Sequence, residues 1–285
     1  GDSRDTLRGV AASFRESTTR RAARPRTNLT FKWPKQITSN GSFHSKQSKR
    51  GESFELRGQF VSTVKPLDKG QLLVSSRVTG QKMTSTVKDK NKTDYLQRVL
   101  KEALSDQPDY VITDDGSFVR IENLDAYRQR IEGAILKGLP DGPQEGREKA
   151  RQLVKTLLSE QALAASLQAE WNNIVSNWAG GSYAQGQNYE YVVQYQAPAL
   201  GDQVFPMTVT QQLTGHVACQ KGAKEKSCVR MLQTSRVSDP AFTKATDRFV
   251  RKTVGGGVVV NNVEVVKTVE LITDPKTMLP HNVRS

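Results

Sequence analysis

Residues 53–67 alternate between apolar and polar side chains, and this alternation constrains the fold more than any other feature of the sequence. In SFELRGQFVSTVKPL, Phe54, Leu56 and Phe60 share one face of an extended chain, while Glu55 and other polar residues share the opposite face. A turn at PLDKG then returns the chain in a second segment with similar alternation. Two long strands with one apolar face predict an antiparallel sheet covered on that face by another layer.

Further strands are expected on both sides of a helical middle. Residues 108–123 predict a short hairpin with its turn at Asp115–Gly116, because Asp-Gly is favoured in two-residue turns. We expect LTFKW, at residues 29–33, to be a strand and the polar residues 37–51 to be a loop. Late strands are predicted in YEYVVQYQAP, QVFPMTVTQQLTGHVAC, CVRMLQTSRV and VVVNNVEVVKTVELIT, followed by a last hairpin in LITDPKTMLPHNVR.

Helical periodicity occupies the middle of the chain. Residues 93–106 and 123–139 each carry an apolar stripe, and Asn123 is the expected N-cap of the second helix. Residues 147–181 follow as one long helix or as two helices broken near Ser159. In its second half, apolar side chains recur every three or four residues, at Leu163, Leu167, Trp171, Ile174 and Trp178.

The order of elements defines the expected fold class. Strands come first, helices follow, and strands resume, without the regular alternation that a parallel sheet requires. We therefore predict an α+β fold: a large curved antiparallel sheet, a half-barrel, with helices packed on its concave face. Residues 29–285 are expected to form a single domain with a helical insertion at about 93–180, and a short helix is expected after Asp239–Pro240.

The positive charge is concentrated at the start of the chain. The formal net charge is +13, and residues 1–52 hold 12 basic and 4 acidic residues. Residues 1–28 are therefore predicted to be a basic flexible arm, which an anionic membrane surface would attract. Nucleic acid is not favoured as a partner, because the remaining chain is only mildly basic and lacks an RNA-binding pattern of aromatic and basic residues.

The two cysteines indicate a disulfide. Cys219 and Cys228 flank a Lys-rich loop between two expected strands, and opposed positions of an antiparallel pair are within disulfide reach. A disulfide predicts an exported protein, periplasmic or extracellular. The alternative is a pair of buried free thiols in a cytosolic protein. Zinc is not favoured, because the cysteine spacing does not fit and the chain has three histidines.

Sequence motifs of catalysis and cofactor binding are missing. The chain has no G-x-S-x-G, Walker loop, H-E-x-x-H or C-x-x-C motif. Asp114 and Asp115 are better explained by the hairpin turn than as catalytic carboxylates. We therefore expect a protein that is not an enzyme, with no catalytic residues, no metal and no cofactor.

The tryptophan-bearing helix offers two interpretations. If helices cover the sheet fully, its apolar stripe is core; if they cover it loosely, an apolar pocket lies between the two layers. Core packing is the more common outcome for such stripes. Under the pocket hypothesis, the ligand-binding side chains are Leu163, Leu167, Trp171, Ile174 and Trp178 from the helix, and Phe54, Phe60, Tyr191, Tyr195, Phe205 and Met207 from the sheet.

The layout resembles the LolA/LolB-type lipoprotein-carrier superfamily of bacterial envelopes. A D-x-x-T-x-L-P turn between late strands of that family is similar to Asp274, Thr277, Leu279 and Pro280 here. The resemblance is architectural, covers roughly residues 29–285, and implies a half-open barrel with helices on its concave side. It also implies carriage of a lipid in the cell envelope.

Two function classes follow. The leading hypothesis is non-enzymatic binding or carriage of an apolar ligand, a lipid or acyl chain, in the bacterial cell envelope. The alternative is a structural or protein-interaction module of the envelope with a solid core and no ligand. Protein partners are not indicated by any sequence feature.

Overall fold

In the computed structural model, strands and helices follow the expected order. The structure describes residues 15–16, 24–49, 51–139, 142–253 and 255–285. The strands are β1 Arg15–Glu16, β2 Arg26–Asn28, β3 Ile37–Lys49, β4 Glu52–Pro66, β5 Gln71–Ser85, β6 Tyr110–Thr113, β7 Phe118–Ile121, β8 Ser182–Ala184, β9 Asn188–Gln196, β10 Val204–Val217, β11 Cys228–Val237, β12 Val265–Thr273 and β13 Pro280–Arg284. The helices are α1 Lys90–Ser105, α2 Leu124–Lys137, α3 Gln144–Leu157, α4 Glu160–Trp171 and α5 Pro240–Thr253. The predicted arm falls mostly on residues 1–14 and 17–23, which lie outside the described residues.

One large sheet organises the molecule. Strands β3 to β7 form one antiparallel meander and β9 to β13 form a second, with β1 added at the β9 edge. The two meanders join where β13 pairs with β3, and this pair is parallel. The sheet is mixed, mostly antiparallel and not closed into a barrel, so the predicted α+β class is confirmed. Strands β2 and β8 form a separate antiparallel pair.

The prediction of a loop at residues 37–51 is wrong. Residues Ile37–Lys49 form β3, one of the strands at the junction, which pairs with β4 along its whole length and with β13 near its middle. The segment is rich in Ser, Asn, Gln and Lys, so its composition resembles a loop. Its backbone bonds to two neighbouring strands override that composition, since strand preference depends on context.

The segment LTFKW is not a strand of the large sheet. Its backbone instead bonds to two turns: the N–H of Leu29 donates to the carbonyl of Gly181 at 3.0 Å, and the N–H of Thr30 donates to the carbonyl of Pro275 at 2.9 Å. Leu29 and Trp33 are buried. The segment therefore ties the turn after the tryptophan-bearing helix to the turn between β12 and β13.

Among the described helices, α1, α4 and α5 begin with a capping side chain, whereas α2 and α3 do not. The expected break near Ser159 is present, and the Ser159 hydroxyl accepts a hydrogen bond from the Ala162 N–H at 3.1 Å, starting α4. Asp239 caps α5 in the same way, through the N–H of Ala241 at 2.7 Å. Asn123 occupies the predicted N-cap position of α2, but its backbone is left-handed, with φ +55°, and its side chain makes no capping bond.

The helices lie on one face of the sheet, called here the inner face. In β10 and β11 this face carries the odd-numbered residues, among them Phe205 and Val237. Helix α5 covers this end of the sheet, where the ring of Phe242 meets that of Phe205 at a centroid distance of 5.1 Å. Helices α1 and α4 cover the central strands, and the candidate site lies beneath them.

The predicted disulfide between Cys219 and Cys228 is confirmed. It closes the connection between β10 and β11, with the two Cα atoms 5.0 Å apart. A disulfide is compatible with an exported protein. Among the helices that the structure describes, none combines the length and apolar character needed to cross a membrane.

Replacing Cys219 and Cys228 together by serine should lower the free energy of unfolding by about 2–3 kcal/mol, because the open loop regains chain entropy in the unfolded state. Urea denaturation followed by tryptophan fluorescence measures this loss. Adding a thiol reductant to the wild-type protein should produce the same shift. An unchanged midpoint in both experiments would show that the disulfide does not stabilise the fold.

Candidate ligand-binding site

A cavity of about 360 Å³ lies between the inner face of the central strands and the helices that cover them. Its floor is formed by β3, β4, β5, β12 and β13, so it spans the junction of the two meanders. Its roof is formed by α1, α4 and the π-helical turn Asn172–Ser176. Apolar cavities of this size are typical of small-molecule sites.

Most of the side chains around the cavity are apolar. Helix α1 contributes Leu100 and Leu104 from one of its faces, and α4 contributes Leu167 and Trp171. The apolar residues that line the cavity from other elements are Trp33, Phe43, Leu56, Phe60, Val78, Pro108, Tyr110, Ile174, Val269, Pro280 and Val283. The serine, asparagine and glutamine residues of the lining contribute few polar atoms to the cavity surface, so the cavity favours an apolar ligand.

Two cross-strand pairs of glycine with phenylalanine let the phenylalanine rings of the cavity floor lie close to the sheet. Gly41 on β3 lies opposite Phe60 on β4, and Phe43 on β3 lies opposite Gly58 on β4. A Cβ atom on Gly41 would overlap the Phe60 ring, and one on Gly58 would lie 2.7 Å from Cε1 of Phe43. The rings therefore lie against the sheet, over the glycines, and leave the space above them open.

The roof is held by hydrogen bonds from two indole groups. Trp171 donates from Nε1 to the carbonyl of Gly116 at 2.9 Å, which ties α4 to the β6–β7 turn. Trp33 donates from Nε1 to the carbonyl of Met278 at 3.1 Å. The two indole rings meet edge to face at 5.3 Å, and Tyr110 meets Trp171 at 5.5 Å. This aromatic group closes one end of the cavity with geometry that favours aromatic contact.

A buried amide network anchors the π-helical turn to the sheet. Gln233 accepts from the side chain of Gln211 at 2.9 Å and donates to the side chain of Asn173 at 3.0 Å. Gln211 also donates to the backbone carbonyl of Asn177 at 3.1 Å and accepts from the hydroxyl of Tyr183 at 3.2 Å. Because each amide has partners, the network fixes the helix relative to β10 and β11.

The π turn separates the two tryptophans of the predicted stripe. Trp171 lies in a cluster with Trp33 and Val74 beside the cavity. Trp178 is fully buried in a second cluster, with Leu29 and Tyr183, on the far side of the amide network. A π turn changes the phase of a helix, so residues before and after it face different surroundings.

The structure brings part of the predicted ligand-binding set together. Leu167, Trp171, Ile174 and Phe60 surround the cavity. The other predicted residues lie elsewhere. Trp178 belongs to the core, and Leu163 and Phe54 are half-buried outside the lining. Tyr191 lies on β9, and the cluster under α5 contains Tyr195, Phe205 and Met207 from β9 and β10.

Two ionisable side chains line the opening of the cavity. Glu170 on α4 and Lys267 on β12 both contribute to the lining and both remain exposed. Although Glu170 is exposed to solvent as a residue, its carboxyl lies close to many protein atoms, and this partial burial raises its pKa, while the charge of Lys267 opposes the rise. Within the part of the chain that the structure describes, neither side chain forms an ion pair within 4.0 Å.

The sequence contains a pattern that marks both Glu170 and Lys267, and the prediction of the binding site missed it. Glu170 stands between Leu167 and Trp171 at helical spacing, on the stripe that was expected to be apolar. Lys267 stands between Val265 and Val269 on the inner face of a strand. A charge inside an apolar periodic pattern is costly to cover, so it marks an opening or a site.

A larger depression of about 700 Å³ lies on the outer face of the sheet. Most of its lining is polar or charged, including Asn40, Gln59 and Arg284. His281 lies beside it, and its ligand atom is within 4.8 Å of the sulfurs of Cys219 and Cys228, the kind of spacing that metal ligands adopt. Since both sulfurs are used in the disulfide, this group offers a metal ion one imidazole.

Comparison of the chain with protein-family models, with curated proteins and with solved structures gave no match.

Replacing Gln233 by leucine should lower the free energy of unfolding by about 1–3 kcal/mol, because the buried amides of Gln211 and Asn173 lose their partner. Thermal and urea denaturation measure the loss. Leucine in place of the exposed Gln194 on β9 is the matched control and should change stability by less than about 0.5 kcal/mol. Equal stabilities of the two variants would contradict the anchoring role of the network.

Replacing Glu170 by glutamine should stabilise the protein at neutral pH. Burial raises the Glu170 pKa above 4.5 in the folded state, so the folded carboxylate becomes unfavourable as pH rises through and beyond that value. Below about pH 4 both folded and unfolded carboxyls are protonated, and the two proteins should be equally stable. Urea denaturation at several pH values measures the difference, with the exposed Glu225→Gln as control. A gain that does not depend on pH would contradict this origin.

Proposed function

We propose that the protein binds a single acyl chain, without chemical conversion, in the cavity between α4 and the sheet. The observation that carries this proposal is the unfilled apolar space of about 360 Å³ beneath the tryptophan-bearing helix. Such a space costs packing energy that a solid core would gain. An apolar ligand would recover that energy by filling it.

The size of the cavity sets the chain length. A volume of about 360 Å³ is equivalent to about a dozen water molecules. A methylene group is similar in size to a water molecule, so the cavity matches a chain of about 10–12 carbons. Each buried methylene contributes about 0.8 kcal/mol, and ten of them can offset the cost of ordering the ligand.

The proposed location is the bacterial cell envelope, with the protein acting as a lipid binder or carrier. The disulfide at Cys219–Cys228 supports an exported protein. The LolA/LolB-type resemblance is part of this proposal; an open sheet with helices on one face is compatible with it. The basic residues 1–28 would assist approach to an anionic membrane surface.

A structural or interaction module is the competing proposal. It is supported by the solid cluster around Trp178, in which the described core residues are fully packed. It requires the cavity to stay empty, whereas the acyl-chain proposal requires it to fill.

Affinity for straight-chain alkanoates should rise about fourfold for each added methylene and level off beyond about 12 carbons, because longer chains leave the cavity. Quenching or shift of Trp171 fluorescence, checked by native mass spectrometry, measures the series from six to sixteen carbons. Trp171 lines the cavity, so its emission reports occupancy.

A matched pair of variants locates the binding. Ser45 lines the cavity, whereas Ser48 on the same strand is exposed on the other face of the sheet. Ser45→Phe should fill the space and weaken decanoate binding at least about tenfold, while Ser48→Phe should bind like the wild type. Absence of binding by the wild-type protein at millimolar ligand would favour the module with no ligand.

A further inference from the structure

The polar opening of the cavity carries information about the ligand's head group. Glu170 reaches the lining from the roof and Lys267 from the inner face of β12, and Arg77 on β5 also belongs to the lining. Asn173 lies beside them, and its carboxamide oxygen is already used by Gln233. A chain that fills the apolar part of the cavity would present its head group to this polar end.

Glu170 and Lys267 differ as partners for the head group of a ligand. Glu170 is surrounded by protein that disfavours its negative form, so it accepts a proton more readily than an ordinary glutamate. Lys267 is exposed and, among the residues that the structure describes, forms no ion pair within 4.0 Å. An anionic head group would therefore find its partner in the Lys267 ammonium, whereas a cationic head group would be repelled by it and would meet a carboxylate whose charge is disfavoured by burial.

We propose that the ligand is a single-chain carboxylate whose head group pairs with Lys267 at the lining of the cavity, an inference that rests on the acyl-chain function above. Binding of the ligand forms and breaks no covalent bond. Charge-assisted hydrogen bonds to a carboxylate are stronger than those to a neutral group, so the pair would add selectivity to a chain-driven site.

Arg77 alternates with the inner-facing Ser76 and Val78 on β5 and is exposed, so its side chain starts from the outer face of the sheet. Tyr110 from β6 and Tyr127 from α2 are close enough that the negative charge of Glu170 raises their pKa values, after burial as the main cause. Both phenols are neutral at physiological pH. From the sheet, His44 lines the cavity but is engaged with Glu55 at 3.3 Å.

Three ligands with the same ten-carbon chain separate the head-group effect from the chain effect: decanoate, 1-decanol and decyltrimethylammonium. Calorimetric titration of each into the oxidised full chain should show decanoate binding at least about tenfold more tightly than decanol, and the cation binding most weakly. Lys267→Gln should remove the advantage of decanoate and leave decanol unchanged. Lys65→Gln, an exposed lysine on β4, is the matched control and should retain the full preference.

Glu170→Gln removes a carboxyl group that can carry negative charge beside the proposed head-group position, so it should bind decanoate at least as tightly as the wild type. Equal affinity for decanoate and decanol, or loss of decanoate binding in Glu170→Gln, would overturn the carboxylate assignment while leaving the acyl-chain function intact. Failure of all three ligands to bind would overturn both proposals.

Discussion

Attachment of the tryptophan-bearing segment to the middle of the sheet is the constraint on which the rest of the structure depends. The amide groups of Gln211 and Gln233 project from the sheet's inner face into an otherwise apolar layer, and they must be paired because burial removes water. Asn173 and Asn177 supply the partners, which fixes the π-helical turn above β10 and β11. The chain after the turn packs as solid core, and the chain before it spans the junction of the two meanders.

The cavity follows from that attachment together with the local shape of the floor. Both attachments hold the C-terminal end of α4: Trp171, its last residue, bonds to the β6–β7 turn, and the network holds Asn173 two residues further on, so this end of the helix is fixed above the strands. Phe43 and Phe60 lie over glycines instead of standing up to meet it. The charged side chains at the opening, Glu170 and Lys267, make one end of the cavity polar and hydrated. The same features that leave the space unfilled give it an apolar body and a polar end.

The sequence predicts the parts of this structure whose patterns are local. Alternation in residues 53–67, the Asp115–Gly116 turn and the cysteine hairpin correspond to observed elements, because each depends on neighbours close in the chain. The polar strand β3 and its parallel contact with β13 were not predictable from composition, since distant partners supply their bonds. The π turn was not predictable for a similar reason. The apolar residues of the tryptophan-bearing segment continue at helical spacing through the turn, and only the long-range amide bonds show that Trp178 faces a different cluster.

A crystal structure of the protein with 10-bromodecanoate tests the central claim most directly, because anomalous scattering locates bromine without reference to the surrounding protein. The account predicts one bromine peak inside the space between α4 and the sheet, within about 4.5 Å of the side chains of Leu104, Leu167 or Val269. An interface between helix and sheet that is packed shut, with no bromine in it at saturating ligand, would contradict the account.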